Sequence, residues 1–535
     1  MLSSKNLLST VSYSIYTIDY TMIGLRILHR KGGFGLRYAS SISRFESWLR
    51  DGDVMVDRMK IVENKNQRHV VATNDVDEGD IMLRLPRKML ITPEMGETKT
   101  RLGKLAKRVG LDELEGNMYL MMYLLESRRD EGSPFFPYCD ALPKLEDSKH
   151  FPAFWDEKER EELLQGSSLL EDIDQQIELN RSDYDTLKKE DPEYVSSLVP
   201  SSEEFMWAEL MVSSRAFMVN KPDGTTEHAM VPFADMLNTA LPHTCDVSFG
   251  MEDDHFVMRS LHHIASGSEV RDSYGYKSTR RFLQHYGFAF FDNLDHTGVS
   301  PNVTRLKIPL RAPENLTETG SAEDEKMLLS RKSNVANASL KKKKQDEEEM
   351  FYLDIGSAHV QSGALPDVVL SRLRLCVAND SETSFIERNF SDPNQISFVG
   401  RRNEIAATSF LVQVLERRLS EYPTTLETDR EMLVADPSVL SEHSSRIDNE
   451  QNDESLMSAN QRNALIHVAA EKVILTDWLR VAALQCASAN SRAPASQSDL
   501  TSFYAKQKFL GSPPSHSDKG KRRKRRSGGK KKRRR

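Results

Sequence analysis

Strand-forming sequence occurs in two blocks separated by more than 150 residues of largely helical chain, so any single fold must reunite distant segments. In the first block, Val70-Val71-Ala72-Thr73 and Ile81 to Leu85 read as short strands joined by the turn-forming Asp77-Glu78-Gly79, which predicts a small antiparallel β unit. In the second, Val247 to Gly250 and His255 to Leu261 flank the acidic turn Glu252-Asp253-Asp254 and predict a hairpin. Between the blocks, Leu111, Leu114, Met118, Met121 and Leu125 recur at helical spacing, which predicts an amphipathic helix with a core-facing stripe. Polar helices and loops follow from Trp155 to about Pro200, and Ser202 is placed to cap a helix through Phe205, Trp207, Leu210 and Met211.

A chain of 535 residues exceeds what one hydrophobic core usually organises, which predicts two folded domains with irregular ends. Beyond the second β block the pattern is all-helical: Ile405, Leu411, Val412, Leu415 and Leu419 mark one long helix, and Leu465, Val468, Leu475 and Leu479 another. The stretch 313–350 loses periodicity, with Lys341 to Lys344 running into Asp346 to Glu349 as in a solvated insertion, and 436–458 is a second low-complexity stretch. The expected class is α+β, with a leader over 1–44, a split β domain over 45–298 interrupted by helices at about 105–205, a helical domain over 299–490, and a disordered basic tail over 491–535.

Hydrophobic residues are 38% and charged ones 29%, as in a soluble globular protein. No apolar run approaches the roughly 18 residues of a membrane span, so no membrane partner is expected. The net charge of −7 hides an asymmetry: Lys519 to Arg535 holds 13 Lys or Arg and no acid, so the rest of the chain stands at −20. That acidic body does not suit a general nucleic-acid binder, whereas the tail suits nucleic acid, an acidic protein or an import receptor. Cys139, Cys245, Cys376 and Cys486 lie too far apart in sequence for a zinc spacing, and four thiols in so long a chain make no disulfide framework. His262-His263 would point to opposite faces of a strand, so no metal is expected there either. The first 44 residues set Lys5, Arg26, Arg30, Lys31, Arg37 and Arg44 against one acid, Asp19, the composition of an organellar presequence with Arg37-Tyr38 before Ala39-Ser40 as a processing site. The leader points to a mitochondrion or plastid and the tail to a nucleus, with the cytoplasm a third destination; a monomer is expected.

Five segments carry more than composition: DVDEGDIMLRLPRKMLIT (Asp75 to Thr92), GSPFFPYCDALP (Gly132 to Pro143), VSSRAF (Val212 to Phe217), VPFADMLNT (Val231 to Thr239) and DSYGYKSTRRFLQHYGF (Asp272 to Phe288). In this order they resemble the Rubisco large-subunit methyltransferase-like SET family, and EYPTTLETD (Glu421 to Asp429) with Glu471-Lys472 is similar to that family's helical substrate-binding domain. The resemblance covers most of Phe45 to Ser488 and implies a catalytic SET domain, S-adenosylmethionine as cofactor and a protein substrate. It includes the actin-histidine methyltransferase branch among its relations.

The cofactor has a sulfonium, an amino acid end and an adenine, so its pocket needs a cation for the carboxylate and acceptors for the ammonium. Arg215, Asp235 and Asn238 supply those types, and the resemblance assigns Arg215 to the carboxylate, Asn238 to the methionine portion, Asp235 to bracing the turn or facing the cofactor, and Thr239 to the cofactor side. A helix-end ion pair for Arg215 and a plain Asx turn at Asp235 and Asn238 are the structural alternatives. Tyr274 matches the active-site tyrosine, orienting the acceptor amine and the methyl group, with a core tyrosine as its alternative. Tyr286 and Phe288 would wall the substrate channel or simply pack, and Asp80 and Met82 align with cofactor-contacting positions, although Asp80 beside Gly79 suits a turn equally well.

Three departures stand out. Thr239 follows Asn238 where the family carries histidine, Asn66-Gln67-Arg68-His69 has no glycine where a Gly-rich turn is expected, and Thr279 replaces an asparagine. At the substrate side Phe217 and Ala234 stand where the histidine-modifying branch has Asn and Trp, and such residues suit the aliphatic stem of lysine. The expected activity is therefore protein-lysine N-methylation of a non-histone protein. The alternatives are protein-histidine methylation and a catalytically weak SET-fold binding module. Without a Cys-rich segment after the SET region, the helical domain must shape the substrate side.

Overall fold

The computed structural model describes residues 34–64, 67–111, 117–317, 322–336, 350–436 and 457–491. Its strands are β1 (Met59–Asn64), β2 (Gln67–Ala72), β3 (Ile81–Pro86), β4 (Ala216–Asn220), β5 (Thr226–Met230), β6 (Asn238–Thr239), β7 (Val247–Glu252), β8 (His255–Ser260), β9 (Arg271–Asp272), β10 (Thr304–Pro309) and β11 (Met350–Ile355).

The distant blocks are joined by direct pairing. β3 lies antiparallel to β8, with Leu85 opposite Phe256 and Leu83 opposite Met258, and β7 continues that sheet. The strands at 67–72 and 81–86 exist but are not partners, which corrects the expected two-strand unit. β2 pairs instead with β1, Met59 opposite Ala72, and single bridges tie Val71 to Glu269 and Val76 to Ile264. An isolated hairpin is marginal in water, whereas insertion against β8 buries Leu83, Leu85, Phe256 and Met258 in one core. The β7–β8 hairpin forms as expected. Its turn residues Asp253 and Asp254 take φ of 46° and 62°, the left-handed values that a tight two-residue hairpin needs.

Helices fill the gap between the blocks. The one described over Asn117–Ser127 is buried on nearly every side, so the expected amphipathic stripe is instead a wholly internal helix. Ser201 rather than Ser202 caps the next important helix, Ser202–Arg215, accepting from the Glu204 amide at 3.4 Å. That helix ends on Arg215 where β4 begins at Ala216, a junction that positions the site described below.

The second domain is not all-helical. β10 and β11 form an antiparallel pair, Thr304 opposite Ile355, whose inward residues Leu306, Ile308, Phe351 and Ile355 join the core built by helices Asp367–Cys376, Arg401–Ser420 and Ala459–Ser491. Part of the stretch expected as a solvated insertion is the helix Ala322–Ala336, with Leu328 and Lys332 buried and the Lys332 ammonium donating to the Cys376 carbonyl at 2.7 Å. The helix Phe34–Asp51 crosses the expected boundary at residue 44, and Ile42, Phe45 and Leu49 pack into the first core. The rest of the leader, nearly all of 436–458 and the basic tail lie outside the described residues. Trp155, Leu164, Leu169, Ile173 and Leu283 of the first domain pack on Ala464 of the second. Among the described residues no helix is long and apolar enough to cross a membrane.

Candidate active site

The junction at Arg215 turns a helix end into a binding feature. Its Nη1 donates to the Asp235 backbone carbonyl at 2.7 Å and lies 3.3 Å from the carboxylate Oδ2. Asp235 sits in a short turn, Ala234–Met236, entered through Phe233 at φ 75°, a strained value for a bulky residue. Its side chain is fully buried, and Tyr138 donates to Oδ2 at 3.0 Å. Burial pushes the Asp235 carboxyl upward, opposed by Arg215, by the Tyr138 hydrogen bond and by Arg68. Two buried atoms here have no hydrogen-bond partner, Arg215 Nε and Asp235 Oδ1. Native interiors satisfy nearly all such groups, so an idle donor beside an idle acceptor fits a site that completes its bonding with a ligand.

A two-residue parallel pairing brings the remaining groups alongside. β6 meets β9 with Asn238 opposite Arg271 and Thr239 opposite Asp272. The Asn238 amide donates to Glu269 at 2.8 Å, and Thr239 Oγ1 accepts from the Tyr274 backbone N–H at 3.1 Å. The Tyr274 hydroxyl donates to the Leu237 carbonyl at 2.8 Å, so the two segments are latched in both directions. Gly275 follows at φ 87°, which lets the chain turn sharply away. Tyr274 stacks on Tyr286 with ring centroids 5.1 Å apart, and Phe288 extends the aromatic group through Phe282 and Phe290. Burial raises the Tyr274 phenol and pushes Tyr286 up to about 12, which keeps both neutral near pH 7. The Lys277 ammonium sits 5.5 Å from the Tyr286 ring centre and bonds the Tyr274 carbonyl.

Arg215, Asp235, Asn238, Thr239, Tyr274, Tyr286 and Phe288 thus form one neighbourhood, with Ala234 buried immediately before Asp235. The contacts of the other expected site residues lead elsewhere. Asp80 pairs with Arg58 and accepts from the Asp77 amide at 3.2 Å, closing its own turn. Met82 is in the first core, and Phe217 packs edge-on against Phe249 and Phe256 at 5.1 and 5.5 Å. Sequence reading passed over Tyr138, Glu269 and Arg68, the last with Nη1 donating to Ala141 O at 2.7 Å. Tyr138 lies within a segment already singled out, and Arg68 lies in the stretch 66–69 where a Gly-rich turn was expected; those were the available signals. A cleft of about 910 Å³ between the domains, lined by Ser168, Arg305, Phe410 and Arg418, does not include this neighbourhood.

Residues 323–475 match the Rubisco LSMT substrate-binding family. The actin-histidine N-methyltransferases of Xenopus tropicalis and Homo sapiens are each 25% identical over 404 residues, 72% of this chain. This chain spans 63% and 62% of their respective lengths. Rubisco LSMT bound to AdoMet superposes with a TM-score of 0.63 at 21% identity, covering 89% of this chain and 98% of that one. The SET domain of LSMT bound to lysine and AdoHcy gives 0.62 at 20% identity, covering 85% and 93%. The fold is therefore a SET domain split by helices and followed by a Rubisco LSMT substrate-binding domain. The family match itself is confined to residues 323–475, and over the rest of the chain the likeness to the solved structures is one of fold.

Proposed function

We propose that this protein is an S-adenosylmethionine-dependent protein N-methyltransferase with lysine as its acceptor. The observation that carries this reading is the pairing of idle Arg215 Nε and Asp235 Oδ1 beside the stacked Tyr274 and Tyr286. A guanidinium with an unused donor suits the carboxylate of an amino acid, and a carboxylate with an unused oxygen suits its ammonium. S-adenosylmethionine supplies a methyl group on a positively charged sulfur. Arg215 and Asp235 hold its amino acid end, Asn238 and Thr239 fix the adjoining loop, and Asp80 and Met82 are assigned to the cofactor side by the resemblance alone.

Methyl transfer needs alignment and exclusion of water more than covalent help from the protein. The acceptor nitrogen must arrive without its proton, and a wall of neutral rings favours the uncharged amine. Tyr274 keeps its own proton, so it orients the acceptor rather than removing a proton from it. Tyr286 and Phe288 wall the channel, with Ala234 at its base, and Phe217 is assigned to the substrate side by the resemblance alone. The helical domain docks the protein substrate. A second reading, histidine as acceptor, is favoured by the actin-histidine relatives.

Incubation of the purified protein with methyl-labelled donor and cell extract, followed by mapping of the labelled residue, separates the readings. Label on lysine is expected; label on histidine replaces the first reading with the second. A well-folded protein that neither labels extract nor binds S-adenosylmethionine by calorimetry is a binding module instead. Arg215→Ala is expected to weaken donor binding by about 1.5 to 3 kcal/mol, the range for hydrogen bonds to charged groups.

A further inference from the structure

Arg68 is the second residue of β2, in the stretch 66–69 that contains no glycine. Its side chain is only 16% exposed and turns inward. Nη1 donates to the Ala141 carbonyl at 2.7 Å and lies 3.5 Å from the Met236 sulfur, next in sequence to Asp235. The other edge of the guanidinium meets Glu63, with Nη2 at 3.0 Å and Nε at 3.1 Å, and Glu63 is 32% exposed at the rim. The Arg68 carbonyl lies 3.4 Å from the Asn238 amide nitrogen, so backbone and side chain both adjoin the candidate site. Its charge is felt by Arg215 and Asp235 alike: burial and the like charge of Arg215 lower its own pKa, while Glu63 and Asp235 act in the opposite sense.

Arg215 therefore bonds a buried carboxylate that has an idle oxygen and itself keeps an idle nitrogen, while Arg68 reaches the residue next to that carboxylate, Met236. Like charges brought together in a low dielectric repel, which an anionic group between or beside them relieves. Glu63 does this only from the solvent side. We propose that Arg68 is a second cation of the donor site, forming with Arg215 a two-guanidinium clamp on the carboxylate end of the methyl donor. The proposal rests on the methyl-donor reading above. It gives this chain a long side chain where a glycine would leave only backbone, and it makes recognition of the donor depend on its amino acid end more than on its adenosine.

The test compares two thioether ligands by calorimetry on the full chain. S-adenosylhomocysteine has the amino acid end, and 5′-methylthioadenosine retains the adenosine and sulfur without it. Arg68→Met is expected to weaken S-adenosylhomocysteine by about 10- to 100-fold, the range for a charge-assisted hydrogen bond, and to leave 5′-methylthioadenosine within about twofold. Arg68→Lys, which restores the charge without the fork, is expected to recover part of the loss. Equal weakening of both ligands assigns Arg68 a structural role and overturns the clamp, as does unchanged or tighter S-adenosylhomocysteine binding in a variant that melts with the wild type. Should Arg68→Met not fold, Arg68→Gln carries the same comparison. Wild-type protein that binds neither ligand defeats the methyl-donor reading itself, and the clamp with it; failure confined to the variants defeats the clamp alone.

Discussion

Two deeply buried carboxylates, Asp235 in the first domain and Glu471 at the seam with the second, are treated in opposite ways. Glu471 Oε1 accepts from Ser168 at 3.1 Å and Thr304 at 2.6 Å, Oε2 accepts from Tyr422 at 3.0 Å, and His467 lies 3.7 Å away. Every oxygen there has a partner from another part of the chain. At Asp235 one oxygen is engaged by Tyr138 and Arg215 while the other has none. A buried carboxylate with all its bonds met inside the chain serves as a strut, because each donor around it would be orphaned by its loss. One with an idle oxygen beside an idle donor is a poorer strut and a better receptor.

Removing the strut should have the largest effect. Glu471→Ala leaves the hydroxyls of Ser168, Thr304 and Tyr422 without their acceptor, and the expected loss is about 3 to 5 kcal/mol, as for breaking one side of a buried charged network. Chemical denaturation monitored on both domains measures it, and a loss below about 1 kcal/mol would erase the contrast with Asp235. The receptor side is tested by the smaller change Tyr274→Phe, which keeps the stack on Tyr286 and deletes only the hydroxyl bonded to Leu237. Turnover is expected to fall about 100-fold with donor affinity nearly unchanged, the scale for losing one orienting donor at a reacting centre. Wild-type turnover in that variant would remove Tyr274 from the chemistry.

The same contrast separates what sequence could reveal from what it could not. Arg215, Asp235, Asn238, Thr239 and Tyr274 were legible because each lies in a short segment whose residue order is itself informative. Tyr138 and Arg68 were not, since their relation to Asp235 arises only when chain 97 residues away and a strand from the other β block fold onto the same turn. The partner of β3 was hidden for a like reason: alternation shows that Leu83 and Leu85 need burial but not that β8 provides it. β10 and β11 escaped notice because a long intervening stretch separates two strands that form a pair only in space. Burial of Lys332, in the stretch 313–350 expected to be a solvated insertion, shows tertiary packing overriding composition.

The smallest expected effect concerns a partly buried acid and base that face each other from the helices bearing Arg215 and Tyr286. Glu209 accepts from Gln176 at 2.6 Å and lies 4.0 Å from His285 Nδ1, with Arg281 and Lys277 the charged groups acting on the pair. Burial pushes Glu209 up to about 7 and His285 down to about 3. Unfolded, these groups titrate near about 4.3 and 6.5, so between those values both states hold one proton, on Glu209 when folded and on His285 when unfolded. Their contributions to the pH dependence of stability cancel in that window. Glu209→Gln removes the raised acid and exposes the depressed base, so stability should fall as pH drops below about 6.5. His285→Gln exposes the raised acid, and stability should fall as pH rises from about 4.3 toward 7, in each case by up to about 1.4 kcal/mol per pH unit. Urea midpoints across this range should therefore slope in opposite directions for the two variants, with the wild type nearly flat between them; parallel curves would show that the pair does not share a proton in this way.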